Sequence, residues 1–194
     1  RQMEKSEVAA LVAAHDSEGL LDSLVFTEVT AGDAVFVPAG IPHAIESGIF
    51  VLELQEPTDL SILLEWDGFA VDGDKDGHLN LGFDSALDAL RLSPLSEKES
   101  SLVISKFDTA ADSTHSIFQS IADPFFRADY LTGNGEETPA GFGIFMCLSG
   151  TGKLNFHNYD QLSVAIGDAV VIPHSAGSFQ INGCAGILCR PPEA

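Results

Sequence analysis

Basic residues are scarce in this 194-residue chain: nine Lys and Arg stand against 29 Asp and Glu, a formal net charge of −20 at pH 7. Nucleic-acid phosphates are bound by basic patches, so this balance argues against a nucleic-acid partner. No apolar run approaches the ~18 residues that cross a bilayer, and no membrane partner is expected. Cysteine is scarce too, and the lack of a C-x-x-C pair excludes a zinc ribbon or a thioredoxin-like motif.

The three cysteines, Cys147, Cys184 and Cys189, all lie in apolar, strand-like stretches. They are predicted to be buried thiols, and a reducing cytoplasm is the expected location. The hydrophobic fraction of 45% includes 13 Phe, enough for a proper core. The chain therefore reads as an acidic, globular protein.

The most informative segment is residues 32–44, which has the pattern G-x5-P-x-G-x2-H. Gly32 and Asp33 suit a tight turn, three apolar residues follow as a short strand, and Pro38 and Gly40 bend the chain. His43 then opens the next strand. An inward-facing histidine at that point is a candidate metal ligand, and the alternative is a hydrogen-bonded core histidine.

The segment belongs to an internal repeat, because residues 27–57 align without gaps with residues 162–192. Self-similarity at a fixed offset indicates repeated structural units, here two related β-domains. At the position of His43 the second copy has Ser178, and His174 lies four residues too early. The second domain is therefore expected to bind no metal, with His174 as a turn residue.

The remaining pattern predicts elements around these copies. Residues 3–15 read as a helix with Val8, Leu11 and Val12 on one face, and 84–91 as a helix with Asp84 as N-cap. Strands are predicted from 24 to 54 and throughout 102–189, with a loop at 67–77 and a hairpin at 148–154.

The strands of 24–54 amount to only the last few strands of an eight-stranded jelly roll. The chain also begins with Arg1 rather than Met. We therefore expect the first half of the first barrel to lie outside this sequence.

The spacing in residues 32–44 resembles the second sequence motif of the cupin β-barrels. Three stretches, 36–45, 52–59 and 77–90, resemble the C-terminal half of the type I mannose-6-phosphate isomerases, which are zinc-dependent cupins. The resemblance implies a mainly all-β fold of cupin-type jelly-roll barrels, one partial and one complete, with a short helical connector. The expected division is 1–57 for the partial barrel with its N-terminal helix, 58–101 for the connector, and 102–194 for a degenerate second barrel.

By that resemblance His43 is a zinc ligand, and the other ligands, a Gln, a His and a Glu, come from the earlier half of the barrel. Glu53 and Asp59 match acidic active-site positions, and His78 has a structural role that ties the connector to the barrel. His43 and Glu53 are expected to face the barrel lumen. The alternatives are a hydrogen-bonded interior carboxylate for Glu53 and a turn residue for Asp59.

The resemblance implies zinc-dependent aldose–ketose isomerisation of a small phosphosugar, mannose 6-phosphate to fructose 6-phosphate, through an enediol. Two positions depart from the family: Ile45 replaces a frequent Tyr, and Leu63 replaces an Arg that is expected to act on the substrate. The alternative is a non-catalytic sugar-binding or structural cupin. With one assignable ligand, this chain alone is expected to be inactive, and its oligomeric state is left open.

Overall fold

The computed structural model describes residues 2–56 and 60–193. No helix in those ranges is long and apolar enough to cross a membrane. The helices and strands they contain are α1 (Lys5–Ala13), α2 (Ser17–Asp22), β1 (Asp33–Val35), α3 (Gly73–Asp76), α4 (Phe83–Ala86), α5 (Glu97–Val103), β2 (Ile104–Lys106), β3 (His115–Ser116), β4 (Arg127–Leu131), β5 (Asn134–Thr138), β6 (Gly143–Phe156), β7 (Leu162–Ala165), β8 (Ala169–Ile172) and β9 (Phe179–Arg190), with 3-10 turns at Leu87–Ala89 and His174–Ala176.

The chain forms two compact units. The first contains Arg1–Glu28 and Val37–Lys98, and the second contains Val29–Phe36 and Glu99–Ala194. The predicted division into 1–57, 58–101 and 102–194 stays a prediction. The units differ from it chiefly because a short piece of the first copy folds with the second unit.

Helix α1 contributes two buried side chains to the hydrophobic cluster of the first unit. Its first turn is closed by a capping box in which Glu4 and Glu7 satisfy each other's free backbone N–H groups. Val8 and Val12 are buried on its inner face and pack in a cluster with Met3 and Leu87. The helix predicted over 3–15 and its apolar face are confirmed.

The connector differs in detail from the prediction. The expected loop at 67–77 contains α3, and the helix expected over 84–91 is instead α4 followed by a 3-10 turn. Gly82, not Asp84, is the N-cap residue, with a positive φ of 74°. Phe83 thereby lies inside the helix, where its ring stacks on Trp66 at 5.8 Å. Packing of this aromatic pair, rather than capping by Asp84, determines where the helix begins.

The second unit is a seven-stranded antiparallel sheet with strand order β3-β4-β9-β6-β7. Strand β5 also pairs with β9, and β8 pairs with β6. The prediction of a mainly β, cupin-type fold is confirmed. The core of this unit is apolar and closed, and its largest members are Phe145, Phe179, Leu154, Ile172 and Leu188.

Two strands of the second unit are longer than predicted, and the prediction of a hairpin at 148–154 is wrong. Strand β6 runs without interruption through 14 residues, and β9 through 12. The glycines that suggested a turn instead allow close backbone approach: a Cβ on Gly152 would lie 2.2 Å from the carbonyl oxygen of Asn182. Gly150 has φ of 78° at a register shift between the strands, so it marks a bulge.

Of the strands predicted between residues 24 and 54, only β1 forms. It pairs antiparallel with β2, with Ala34 opposite Ser105. Phe36, which follows β1, is only 5% exposed and lies 5.5 Å from Phe125 and 5.8 Å from Phe126 between ring centres. The second unit therefore includes a buried aromatic residue from the first copy.

We expect Phe36→Ala to lower the free energy of unfolding of the second unit by about 3–5 kcal/mol, because it removes a buried ring from an aromatic cluster. Far-UV circular dichroism in urea follows the strands of this unit. Fluorescence of Trp66, the single tryptophan, follows the first unit. Only the dichroism transition should move. Phe50 is 99% exposed, so Phe50→Ala is the matched control and should change stability by less than about 0.5 kcal/mol. Equal shifts for both variants would contradict this assignment.

Candidate functional site

The bend that precedes His43 is built as the motif predicts. Ile41 N donates to Pro38 O at 3.2 Å, closing a turn, and Gly40 has a positive φ of 81°. A Cβ on Gly40 would lie 2.6 Å from Ala89 O, and Arg91 N donates to Gly40 O at 2.8 Å. Only glycine fits this backbone conformation and this close approach. The motif is thereby anchored on the connector.

The His43 side chain is exposed, and residues 41–56 contain no strand. No barrel surrounds His43 in the described residues, so the expectation that His43 faces a barrel lumen stays a prediction. Its Nδ1 lies 3.0 Å from Ile41 O, and a carbonyl oxygen can only accept, so Nδ1 carries the proton. The Nε2 lone pair is left available. Metal-binding histidines commonly have this arrangement, with one ring N–H donated to a backbone carbonyl.

Of the two predicted acidic positions, the structure describes one. Glu53 is exposed and accepts a hydrogen bond from Gln55 Nε2 at 3.0 Å, so the two side chains lie on the same side of the chain. Asp59 lies outside the described residues. Within residues 2–56 and 60–193 no group of three or more His, Cys, Asp or Glu side chains could hold a metal. The roles of His43, Glu53 and Asp59 stay predictions.

The turn that begins the repeat has the same backbone-to-aspartate hydrogen bond and the same glycine conformation in both copies. In the first copy, Thr30 N donates to Asp33 Oδ2 at 2.7 Å, and Gly32 has φ of 93°. In the second, Ala165 N donates to Asp168 Oδ2 at 2.8 Å, and Gly167 has φ of 90°. The following bend is also shared, since the residue three positions after Pro38 or Pro173 donates its N–H to that proline's carbonyl.

The two copies differ in which edge of the equivalent strand is paired. Phe36 N donates to Val103 O and Phe107 N to Gly32 O, so the even-numbered residues of β1 face β2. In the second copy Cys147 N donates to Asp168 O, so Asp168, Val170 and Ile172 direct their backbone groups toward β6. These three residues are the equivalents of residues 33, 35 and 37 in the first copy. Within the described ranges, nothing pairs as a strand with the odd-numbered edge of β1.

The side chains show the same difference. Val35 and Val37 are 46% and 39% exposed. Val37 is equivalent to Ile172, which is 1% exposed in the core, and Val35 is equivalent to Val170, which packs against that core. Residues 44–55, which align with β9, include Phe50, Val51 and Leu52, all exposed. The first copy thus presents to solvent the face that is the barrel core in the second.

Several polar residues in the first unit prove to be structural. His78 Nδ1 accepts from Gly82 N at 3.2 Å, which leaves Nε2 to donate to Asp74 O at 3.1 Å. Both ring nitrogens of His78 therefore bond within the connector, whereas the resemblance implied that His78 ties the connector to the barrel. A cavity of about 10 Å³ beside His15, Glu65 and Trp66 has room for about one water molecule. It is too small for a sugar.

One polar cluster in the second unit has no signal in the sequence, because the pairing of β4 and β9 creates it. Arg127 lies directly opposite Arg190, and Asp129 is close to both. Burial raises the pKa of Asp129, and the two guanidinium groups oppose that shift. Arg127 also donates to Glu193, and Arg190 to Pro139 O. The arginines are thus used to hold the C-terminal segment.

No protein-family model matches the chain. A curated relative, mannose-6-phosphate isomerase from Streptococcus mutans serotype c (strain ATCC 700610 / UA159), is 26% identical over 188 residues, which is 95% of this chain and 55% of the relative. The predicted resemblance to the mannose-6-phosphate isomerases, as a C-terminal portion, is confirmed. The chain spans about half the length of the curated relative it matches.

Solved structures of mannose 6-phosphate isomerase from Salmonella typhimurium also match. One is bound to the substrate fructose 6-phosphate and zinc, with a TM-score of 0.43, 13% identity, 57% of this chain and 28% of that chain covered. Another solved structure, a zinc-bound holo mannose 6-phosphate isomerase, matches with the same values.

The cysteines are confirmed as buried free thiols and are not candidates for a nucleophile. Burial raises the pKa of Cys184 to about 11, with nearby Cys147 adding to the shift. Burial also raises the pKa of Cys189 to about 11, with Asp129 adding to it. Reactive cysteines need the opposite, a lowered pKa and access to solvent.

We expect none of the three thiols in the native chain to react rapidly with Ellman's reagent at a pH of about 8, because all three are buried. At that pH Cys184 and Cys189, each with a pKa of about 11, are also ionised only to roughly one part in a thousand. All three should react after unfolding in urea. Cys184→Ala, as a control, should reduce the count in urea by one and leave the native result unchanged. A native thiol that reacts within seconds would contradict the burial of these side chains.

Proposed function

We propose that this chain is the C-terminal portion of a mannose-6-phosphate isomerase, and that the complete protein interconverts mannose 6-phosphate and fructose 6-phosphate with the help of zinc. The similarity over 95% of the chain to a protein of that name carries the proposal. The G-x5-P-x-G-x2-H segment, with its resemblance to the second cupin motif, supports it as well. A cytoplasmic location is part of the same proposal.

His43 fits a role as one zinc ligand. Its Nδ1–H is held by Ile41 O, which orients the ring and leaves Nε2 as the donor atom. A catalytic zinc site needs about three protein ligands. The others belong, in this proposal, to a polypeptide segment outside the present chain. Bound there, zinc would act as a Lewis acid on the substrate oxygen that gains negative charge.

The open edge of β1 supports the idea that another segment completes the first barrel. Unpaired backbone groups and exposed Val35 and Val37 are what a strand equivalent to β6 would cover. Such a strand would also pair with residues 44–55, as β6 pairs with β9. Once paired, the barrel would enclose the side chains that are exposed here.

The repeat also indicates where Glu53 would lie in a complete barrel. Its equivalent in the second copy is Leu188, which is 1% exposed in the core. Glu53 would therefore face the interior, where a carboxylate could act as a proton-transfer group. In this role it moves a proton between the two carbons that exchange the carbonyl group, through an enediol. Asp59 is the second acidic candidate.

A specific observation favours a second candidate, a non-catalytic sugar-binding or structural cupin. At the position where the family commonly has an Arg, Leu63 is 36% exposed and its backbone N–H is bonded to Gly77 O at 2.8 Å. A leucine offers nothing to a phosphate or to a developing negative charge. A complete metal site without turnover would identify this alternative.

We expect the isolated chain to bind zinc weakly and to have no isomerase activity, because one imidazole competes poorly with water and buffer for the metal. Calorimetric titration of zinc into the chain and into a His43→Ala variant should give the same weak binding. In a longer protein that includes the polypeptide preceding Arg1, binding should become tight and stoichiometric, and the same substitution should abolish it.

Two controls sharpen this test. Ser178→Ala, at the equivalent position of the second copy, should leave zinc binding unchanged in the longer protein. Glu53→Gln should leave zinc binding intact and lower kcat by about 100-fold or more, as expected for loss of a proton-transfer group. Tight binding by the isolated chain that depends on His43 would contradict the proposal, as would a longer protein that binds no zinc.

A further inference from the structure

Two arginines face each other on neighbouring strands of the second unit. Arg127, the first residue of β4, lies directly opposite Arg190, the last residue of β9. Residues that are opposite each other in an antiparallel pair lie on the same face of the sheet, and like charges at such positions destabilise the pairing. The chain has only nine basic residues, yet two of them meet here. An anion that lies close to both guanidinium groups would remove this repulsion.

Backbone carbonyl groups hold both guanidinium groups in place. Arg127 Nε donates to Pro191 O at 3.1 Å, and Arg190 Nη2 donates to Pro139 O at 2.6 Å. The Arg190 guanidinium also packs against a glycine, since a Cβ on Gly141 would lie 2.3 Å from its Nη1. Each guanidinium has several further N–H donors. Both groups are therefore oriented and still able to bind an acceptor.

Glu193 shows which kind of group this pair binds. Its Oε1 accepts a hydrogen bond from Arg127 Nη1 at 2.6 Å. The Glu193 side chain is 80% exposed and belongs to a segment without helix or strand, and the Arg127 side chain is 31% exposed, so solvent reaches both. Exposed ion pairs contribute little to stability. An anion from solution can therefore replace this carboxylate.

The neighbouring carboxylates leave Arg190 incompletely paired. Asp129, two residues along β4 on the same face, interacts electrostatically with both arginines, but its single charge can balance only one of them. Glu193 is hydrogen-bonded to Arg127. Among the residues that the structure describes, no carboxylate accepts a hydrogen bond from Arg190. An anion that reaches both guanidinium groups would therefore be bound better than the Glu193 carboxylate.

We propose that Arg127 and Arg190 form a binding site for a phosphate group, and that phosphate and the Glu193 carboxylate compete for it. A phosphate has oxygens on several sides, and guanidinium groups bind such oxygens in pairs, so one phosphate can accept hydrogen bonds from both arginines. Phosphate binding releases the Glu193 side chain from Arg127. The site uses none of the residues of the proposed isomerase function.

An NMR titration of inorganic phosphate into the chain, with sodium chloride at matched ionic strength as the reference, tests the proposal. The Nε–H resonances of Arg127 and Arg190 should shift with phosphate and not with chloride, while that of Arg91 in the first unit should not move. Arg127→Gln and Arg190→Gln should each raise the phosphate dissociation constant by about tenfold or more, because charge-assisted hydrogen bonds are lost. Arg91→Gln removes the same charge and is the matched control.

The variant Glu193→Gln tests the competition. It removes the carboxylate that competes for Arg127, so phosphate should bind about threefold more tightly. Glu28→Gln removes an equal charge at an exposed position of the first unit and should leave phosphate binding unchanged. Circular dichroism verifies that each variant folds. Because Glu193 is exposed, its variant keeps the test decisive even if an arginine variant fails to fold.

The proposal would be overturned by a titration in which phosphate shifts the arginine resonances no more than chloride does. Phosphate binding that survives Arg190→Gln would also overturn it, as would a Glu193→Gln variant that binds phosphate no more tightly than the parent chain. Acetate is the second probe, because it has the same carboxylate group as Glu193. Acetate binding as tight as that of phosphate would contradict the assignment to phosphate. None of these measurements depends on zinc or on isomerase activity.

Discussion

The pairing of β6 with β9 is the interaction on which the second unit depends. The two strands are paired along most of their length, from Ile144 opposite Cys189 to Phe156 opposite Phe179. Every other strand of the seven-stranded sheet pairs with one of these two or with a strand that does. Their inner faces supply Phe145, Leu154, Phe179 and Leu188, which form the centre of the core.

In the first copy, no strand among the described residues pairs with the segment equivalent to β9. Residues 44–55 align with β9 and have a comparable share of apolar side chains, yet they form no strand. A strand is stabilised by backbone bonds and side-chain packing from its neighbours, so a segment without neighbours gains too little to offset its conformational entropy. The turn at Gly32 and Asp33 forms regardless, because its hydrogen bonds are local.

The difference between local contacts and contacts from neighbouring strands also explains which parts of the candidate site are in place. His43, its supporting carbonyl and the bend at Gly40 are in place because each is held by contacts within a few residues or by the connector. A metal site needs ligands from several strands at once, and Glu53 can become an interior carboxylate only within a closed barrel. In the proposed function, the chain contributes one oriented imidazole and one edge at which a barrel can be completed.

The sequence by itself determined the features that depend on local chemistry and periodicity: helix α1 with its buried Val8 and Val12, the repeated Gly-Asp turn, the mainly β character and the buried thiols. Tertiary structure decided the rest. Gly150 and Gly152 read as a hairpin, and only the approach of β9 shows that they serve a bulge in one long strand. Asp84 read as an N-cap, and the stacking of Phe83 on Trp66 moved the helix start to Gly82. Nothing in the order of residues assigned β1 to the second unit, set Arg127 against Arg190, or showed which edge of β1 is free, because each of these follows from which strand lies beside which.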